Sequence, residues 1–192
     1  MRTCAISIAF SILTAAVLAG CGSSQPTGPT AALGSAPTSA AAPASRSNHF
    51  HATLTLDGQP EMDADGNNIR VIVDVTNDGA GTFGSTTEPN NVNLGAHALD
   101  TEGKVVINDL ARGHLPQVAP GATRKASILL PAHATLGHSV ALLPVRENVG
   151  WFDTWGTKPL VVGPFQACSD ATADKVCGAS GKPLPMAAPA HS

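Results

Sequence analysis

The chain has 192 residues, with 19 Gly, 15 Pro and no Tyr; only 13% of residues are charged and 4% aromatic. That balance suits one all-β domain with many turns better than a helical one. The formal net charge is −3 and no segment gathers Lys and Arg, which excludes a nucleic-acid-binding surface built on phosphate neutralisation.

At the N-terminus, Met1-Arg2 supplies a short positive start and Ala5–Leu13 opens an apolar run that reaches Leu18. A basic start, an apolar run and a small-residue end form a secretory signal, predicted over residues 1–20. Leu18-Ala19-Gly20-Cys21 resembles the lipobox of bacterial lipoproteins. The resemblance implies diacylglyceryl transfer to the Cys21 thiol, cleavage before Cys21 and acylation of the new amino terminus. Loss of Arg2 makes the mature chain one charge more negative. Two or three acyl chains hold a protein on a membrane stably, where one does so only marginally. Gly22 and Ser23 carry no Asp of the kind that retains lipoproteins at an inner membrane, so the resemblance favours the outer membrane, on its periplasmic or surface face.

Residues 22–48 consist of Ala, Ser, Pro, Thr and Gly with hardly a large apolar side chain. Such a stretch buries too little surface to offset the entropy of ordering it, and its prolines extend it. It is expected to be a solvated spacer, with a glycosylated stalk as the second reading.

From His49 the pattern changes to short runs of period two. Phe50, Ala52, Leu54 and Leu56 share one face of the first run. Val71, Val73 and Val75 share one face of the second, Ile69–Thr76, which Asn77-Asp78-Gly79 closes with turn chemistry. Further strands are predicted over Val92–Leu99, Lys104–Ile107, Thr123–Leu130, Ser139–Arg146 and Pro159–Phe165, with Gly, Asn, Asp and Pro in the gaps. Seven or eight short strands predict an immunoglobulin-like two-sheet sandwich over residues 49–167.

Several of these residues come in a recognisable order: Asn77-Asp78-Gly79, Val92–Asp100, Gly103, Arg112, Leu115-Pro116, Val118–Gly121, Glu147–Phe152 and Pro159-Leu160. Over about residues 69–165 the chain resembles an immunoglobulin-like module appended to bacterial glycosyltransferases, methyltransferases and other polysaccharide-related proteins. The resemblance implies a sandwich fold and a cell-surface polysaccharide ligand. That family usually carries aromatics on both sides of the strand histidine, where this chain has Ala96 and Ala98 around His97. It usually has Trp after the Asn-Asp-Gly turn, where Phe83 is nearest here. If those aromatics stack on sugars, this chain lacks the platform; if they pack the core, little changes.

Of the four cysteines, Cys4 leaves with the signal and Cys21 is the lipidation site, so Cys168 and Cys177 are expected to form a disulfide in an exported protein. The Gly-Lys-Pro-Leu-Pro stretch beyond them, within residues 168–192, is expected to be disordered.

Candidate chemistry is sparse. His49 and His51 would share one face of a strand and could chelate a metal, but no third ligand is near in sequence, and two solvent-facing histidines is the favoured reading. Asp63-Ala64-Asp65-Gly66-Asn67 has Gly two positions too early for a calcium loop and no closing Glu, so a polar hairpin turn is expected. No nucleophile, zinc-protease or phosphate-loop motif is present, which points away from an enzyme and from any cofactor. The segment Glu147-Asn148-Val149-Gly150-Trp151-Phe152-Asp153-Thr154-Trp155 holds both tryptophans beside acids and an amide. Together with His97, its residues Glu147, Asn148, Trp151, Phe152, Asp153 and Trp155 form the candidate contact surface for a glycan or an envelope protein. The competing reading plugs Trp151 into the core, the favoured place for it, and lays Trp155 over the core edge. The expected function is a membrane-anchored, non-catalytic binding or accessory module. The alternative is an assembly subunit that contacts other proteins through its sheet edges and takes no small ligand.

Overall fold

The computed structural model describes residues 49–86, 89–169 and 175–188. The predicted signal peptide, Cys21 and the spacer lie outside the described residues. Two antiparallel sheets pack face to face. The first is built on β3 (Asn68–Asn77), flanked on one side by β1 (Ala52–Leu56) and β2 (Glu61–Met62) and on the other by β6 (Thr123–Pro131). The second runs β10 (Val176–Cys177), β9 (Leu160–Ala167), β7 (His138–Arg146), β4 (Val92–Leu99), β5 (Val105–Gly113), and β8 (Gly150–Trp151) pairs with the end of β7. Strands β1, β3 and β6 in one sheet and β4, β5, β7 and β9 in the other reproduce the partition of an immunoglobulin-like sandwich.

Period-two alternation makes the interior. Ile69, Val71, Val73 and Val75 of β3 are fully buried, and they meet Ala126, Ile128 and Leu130 of β6 and Ala52 and Leu54 of β1. The second sheet contributes Val92, Leu94, Ala96, Val140, Leu142, Val162 and Phe165. Asn77 begins the predicted turn and is itself buried. Its amide donates to the Gly81 and Val118 carbonyls, each at 2.9 Å, and its oxygen accepts from the Gly79 N–H. A buried amide satisfied in this way fixes the loop that delivers Phe83 to the core.

Two irregularities shape the second sheet. Between Ala96 and Ala98 the β4–β5 register slips: Ala96 faces Ala111 and Ala98 faces Ile107, so β5 bulges, with Asp109 at φ 61°. Opposite His138–Val140, β9 carries an extra residue at Gly163, whose φ is 97°, and this turns Pro164 away from the core that Phe165 enters.

The C-terminal stretch departs from expectation. Cys168 and Cys177 are joined, and β10 pairs with the end of β9. Beyond it the chain is ordered through residue 188, in place of the expected disorder: Leu184 packs on the core, the Met62 N–H donates to Pro185 at 2.8 Å, and the Ala187 N–H donates to Met62 at 2.7 Å. One apolar anchor and the unpaired backbone of the β2 edge give this Pro-rich segment partners that its composition does not reveal.

Candidate functional site

The outer face of the second sheet carries the polar cluster. In β4, Val92, Leu94 and Ala96 enter the core, so Asn93, Gly95 and His97 project to the opposite side. The β5 bulge then turns the Asp109 N–H toward His97, whose Nδ1 accepts it at 3.4 Å. With Nδ1 accepting, the proton of the neutral ring sits on Nε2.

Trp151 reaches this face from the β7–β8 hairpin. Glu147-Asn148-Val149 forms the turn, with Asn148 at φ 61°, a conformation Asn tolerates. The Trp151 ring centroid lies 3.7 Å from that of His97, and the Arg112 guanidinium carbon lies 4.5 Å from the centre of the Trp151 ring. Such close approach depends on Gly95, where a Cβ would stand 2.5 Å from the Trp151 ring. Arg112 is held by Asp109 at 3.1 Å and Glu147 at 3.7 Å. Glu147 also accepts from Asn93 at 2.6 Å, Asn93 from Ser85 at 2.6 Å, and Ser85 from the Leu115 N–H at 2.7 Å.

Beside this cluster runs an open groove of about 630 Å³. Its floor is aliphatic (Leu99, Ala141, Leu143, Val161), its flanks include Val105, Pro159 and Pro164, and its polar lining is His97, Asp100, Thr101, Ser139 and Asp153. Val161 and Val105 are 53% and 45% exposed, so part of this apolar surface faces water. Burial lowers the His97 pKa from its ordinary value; Asp153 opposes that shift, Arg112 adds to it and Asp109 opposes it. The shift favours the neutral ring, whose N–H is then on Nε2.

The residues singled out from sequence separate into three groups. His97, Trp151 and Asp153 come together at or beside the groove. Glu147 belongs to the ion-pair and amide chain behind it, and Asn148 is an exposed turn residue. Phe152 is the core plug, fully buried against Phe50 and Phe83, and Trp155 lies half-buried over Phe50 and Phe152. The core role expected of Trp151 thus falls to its neighbour, and Trp151 lies half-buried on the outer face. Ala96 is in the core cluster and Ala98 is fully buried, as is Phe83; the positions where the resembled family carries aromatics point inward here.

The other candidate ligands are engaged within the fold. The His49 ring packs on Phe50 and beside Gly81, and His51 faces Asp78 at 3.5 Å. Asp63 accepts from the backbone of Asn67 and Asn68 and from the Asn68 amide, a polar hairpin turn between β2 and β3 that holds its carboxyl below the usual range. Among the described residues, no group of three His, Cys, Asp or Glu is gathered as a metal site would need.

Sequence reasoning missed Asp109 as a site residue, took Arg112 only as a motif position, and did not foresee the groove. One signal was present: Val140–Val145 is almost continuously apolar, where an antiparallel strand with one wet face would alternate. Compared with protein-family models, with curated proteins and with solved structures, the chain finds no match.

Proposed function

We propose that this protein is a membrane-anchored, non-catalytic binding module of the cell envelope. Its lipid would be carried on Cys21, and its ligand would lie in the groove beside His97 and Trp151. The observation that carries the reading is the groove itself, an aliphatic floor with a few convergent polar groups, which is the usual make-up of a binding site. The anchor rests on the Leu18–Cys21 motif and the spacer on the composition of residues 22–48.

An envelope protein fits this groove better than the polysaccharide that the family resemblance implies. Sugar recognition leans on an open aromatic face. Here the Trp151 ring already stacks with His97 and Arg112, and the groove floor is aliphatic.

A photo-crosslinking residue at Val161 tests the reading in the native envelope, with Val149 on the exposed hairpin turn as the positional control and Cys21→Ser as the unanchored control. The expected result is one recurring protein captured from position 161, absent at 149 and lost without the anchor. Equal capture from both positions would overturn the groove assignment. Capture of glycan-bearing material alone would return the ligand to the polysaccharide class.

A further inference from the structure

We infer that the groove accepts an extended, apolar peptide segment carrying a basic side chain. This rests on the groove being the ligand site and names the chemistry of its occupant.

The charge around the groove is one-sided. Asp100 and Asp153 line it, whereas neither Lys nor Arg does. Lys104 and Lys158 are sequence neighbours of lining residues but line no part of it. Arg112, the cation at the adjoining cluster, is held between Asp109 and Glu147. Each lining acid uses one oxygen internally: Asp100 Oδ1 accepts from the Glu102 and Lys104 N–H groups, and Asp153 Oδ1 from the Thr154 N–H. The second oxygen of each has no protein hydrogen bond among the described residues. An anionic ligand, whether a phosphate, a carboxylate or an acidic polysaccharide, would meet two carboxylates and no compensating cation.

His97 supplies the second observation. It is 6% exposed, it lines the groove, and Nε2 has no hydrogen-bond partner among the described residues. A mostly buried N–H donor facing a groove calls for an acceptor from the ligand; the two carboxylates disfavour an anionic one, and a peptide carbonyl is an acceptor without charge. The dimensions agree. The lining takes in His97 and Leu99 of β4 and Asp100 just beyond it, a span of three residue steps, or about 10 Å at strand spacing. An extended peptide covers that span with about three residues, and its apolar side chains would rest on Ala141, Leu143 and Val161.

The test is binding of short blocked peptides to the lipidated protein in detergent micelles, followed by calorimetry. The core peptide holds two valines and a leucine, flanked by lysine, by glutamine or by glutamate. Glucosamine oligomers and N-acetylglucosamine oligomers serve as the glycan arm. The lysine peptide is expected to bind about tenfold more tightly than the glutamate peptide. The Asp100→Asn, Asp153→Asn double variant should reduce that ratio to about twofold, because the preference rests on these two carboxylates, one half-buried and one exposed. Val161→Arg, at an exposed position that folding tolerates, should abolish binding of all three peptides.

Equal binding of the three peptides would overturn the charge assignment and leave the groove as the ligand site. Binding of either oligosaccharide without any peptide would overturn the assignment to a peptide. Failure of every probe, together with equal envelope capture from positions 161 and 149, would remove the groove itself.

Discussion

Gly95 and Trp151 are in a contact that only glycine permits: a Cβ on residue 95 would stand 2.5 Å from the indole ring, and also 2.4 Å from the Arg112 guanidinium. The stack of His97, Trp151 and Arg112 lies over this one position. Gly95→Ala is expected to lift Trp151 off the sheet and destabilise the domain by about 1–3 kcal/mol, the usual range for overpacking. Denaturant unfolding measures the loss, and a red shift of tryptophan emission in the folded variant reports the displaced ring. Unchanged emission would show that the neighbours yield without moving Trp151.

A second expectation concerns pH. The folded His97 has a pKa below the ordinary 6.5, chiefly through burial. The unfolded chain therefore binds its proton more readily than the folded one does. By linkage, this residue's contribution to stability is present above about pH 6.5 and is lost as pH falls through the interval between the unfolded and folded values. His97→Gln should flatten the melting temperature against pH in that interval. Asp153→Asn should lower the His97 pKa further, since that carboxylate favours the charged ring, and NMR titration of the ring protons would read it directly.

The sandwich was legible in the sequence because its strands alternate. The valines of Asn68–Asn77 declare both the strand and the buried face, and all seven predicted runs form strands. The site was legible only in part, for a geometrical reason. Trp151 ends β8 and Phe152 begins a 3-10 turn, so the two consecutive rings face different ways and the aromatic pair does not say which of them enters the core. Asp109 meets His97 only through a bulge that slips the β4–β5 register, a non-local feature without a local signature.

That division between neighbours predicts unequal costs. Phe152→Ala removes a fully buried ring that touches Phe50, Phe83 and Trp155, and should cost about 3–5 kcal/mol, a large share of a typical domain's stability. Trp151→Ala leaves the core intact, so it should cost clearly less while still weakening binding in the groove. Chemical denaturation of the two variants side by side makes the comparison. A greater loss for Trp151→Ala would mean that the outer-face stack, and not the interior, holds the sheet.

The C-terminal segment offers the last test. The Cys168–Cys177 disulfide closes a loop with a sequence separation of 9 and roots the chain that then crosses to β2. On the chain-entropy account such a short loop contributes about 2–3 kcal/mol. Replacing both cysteines with serine should lower stability by that amount and loosen the segment from Lys182 to Ala187. Two amides report the loosening. The Met62 N–H donates to Pro185 and the Ala187 N–H donates to Met62, so hydrogen exchange at both should accelerate in the variant, ahead of β3. If the Met62 and Ala187 amides stay protected, Leu184 and the edge hydrogen bonds hold the segment without the covalent link. The β2 edge would then be closed by packing alone.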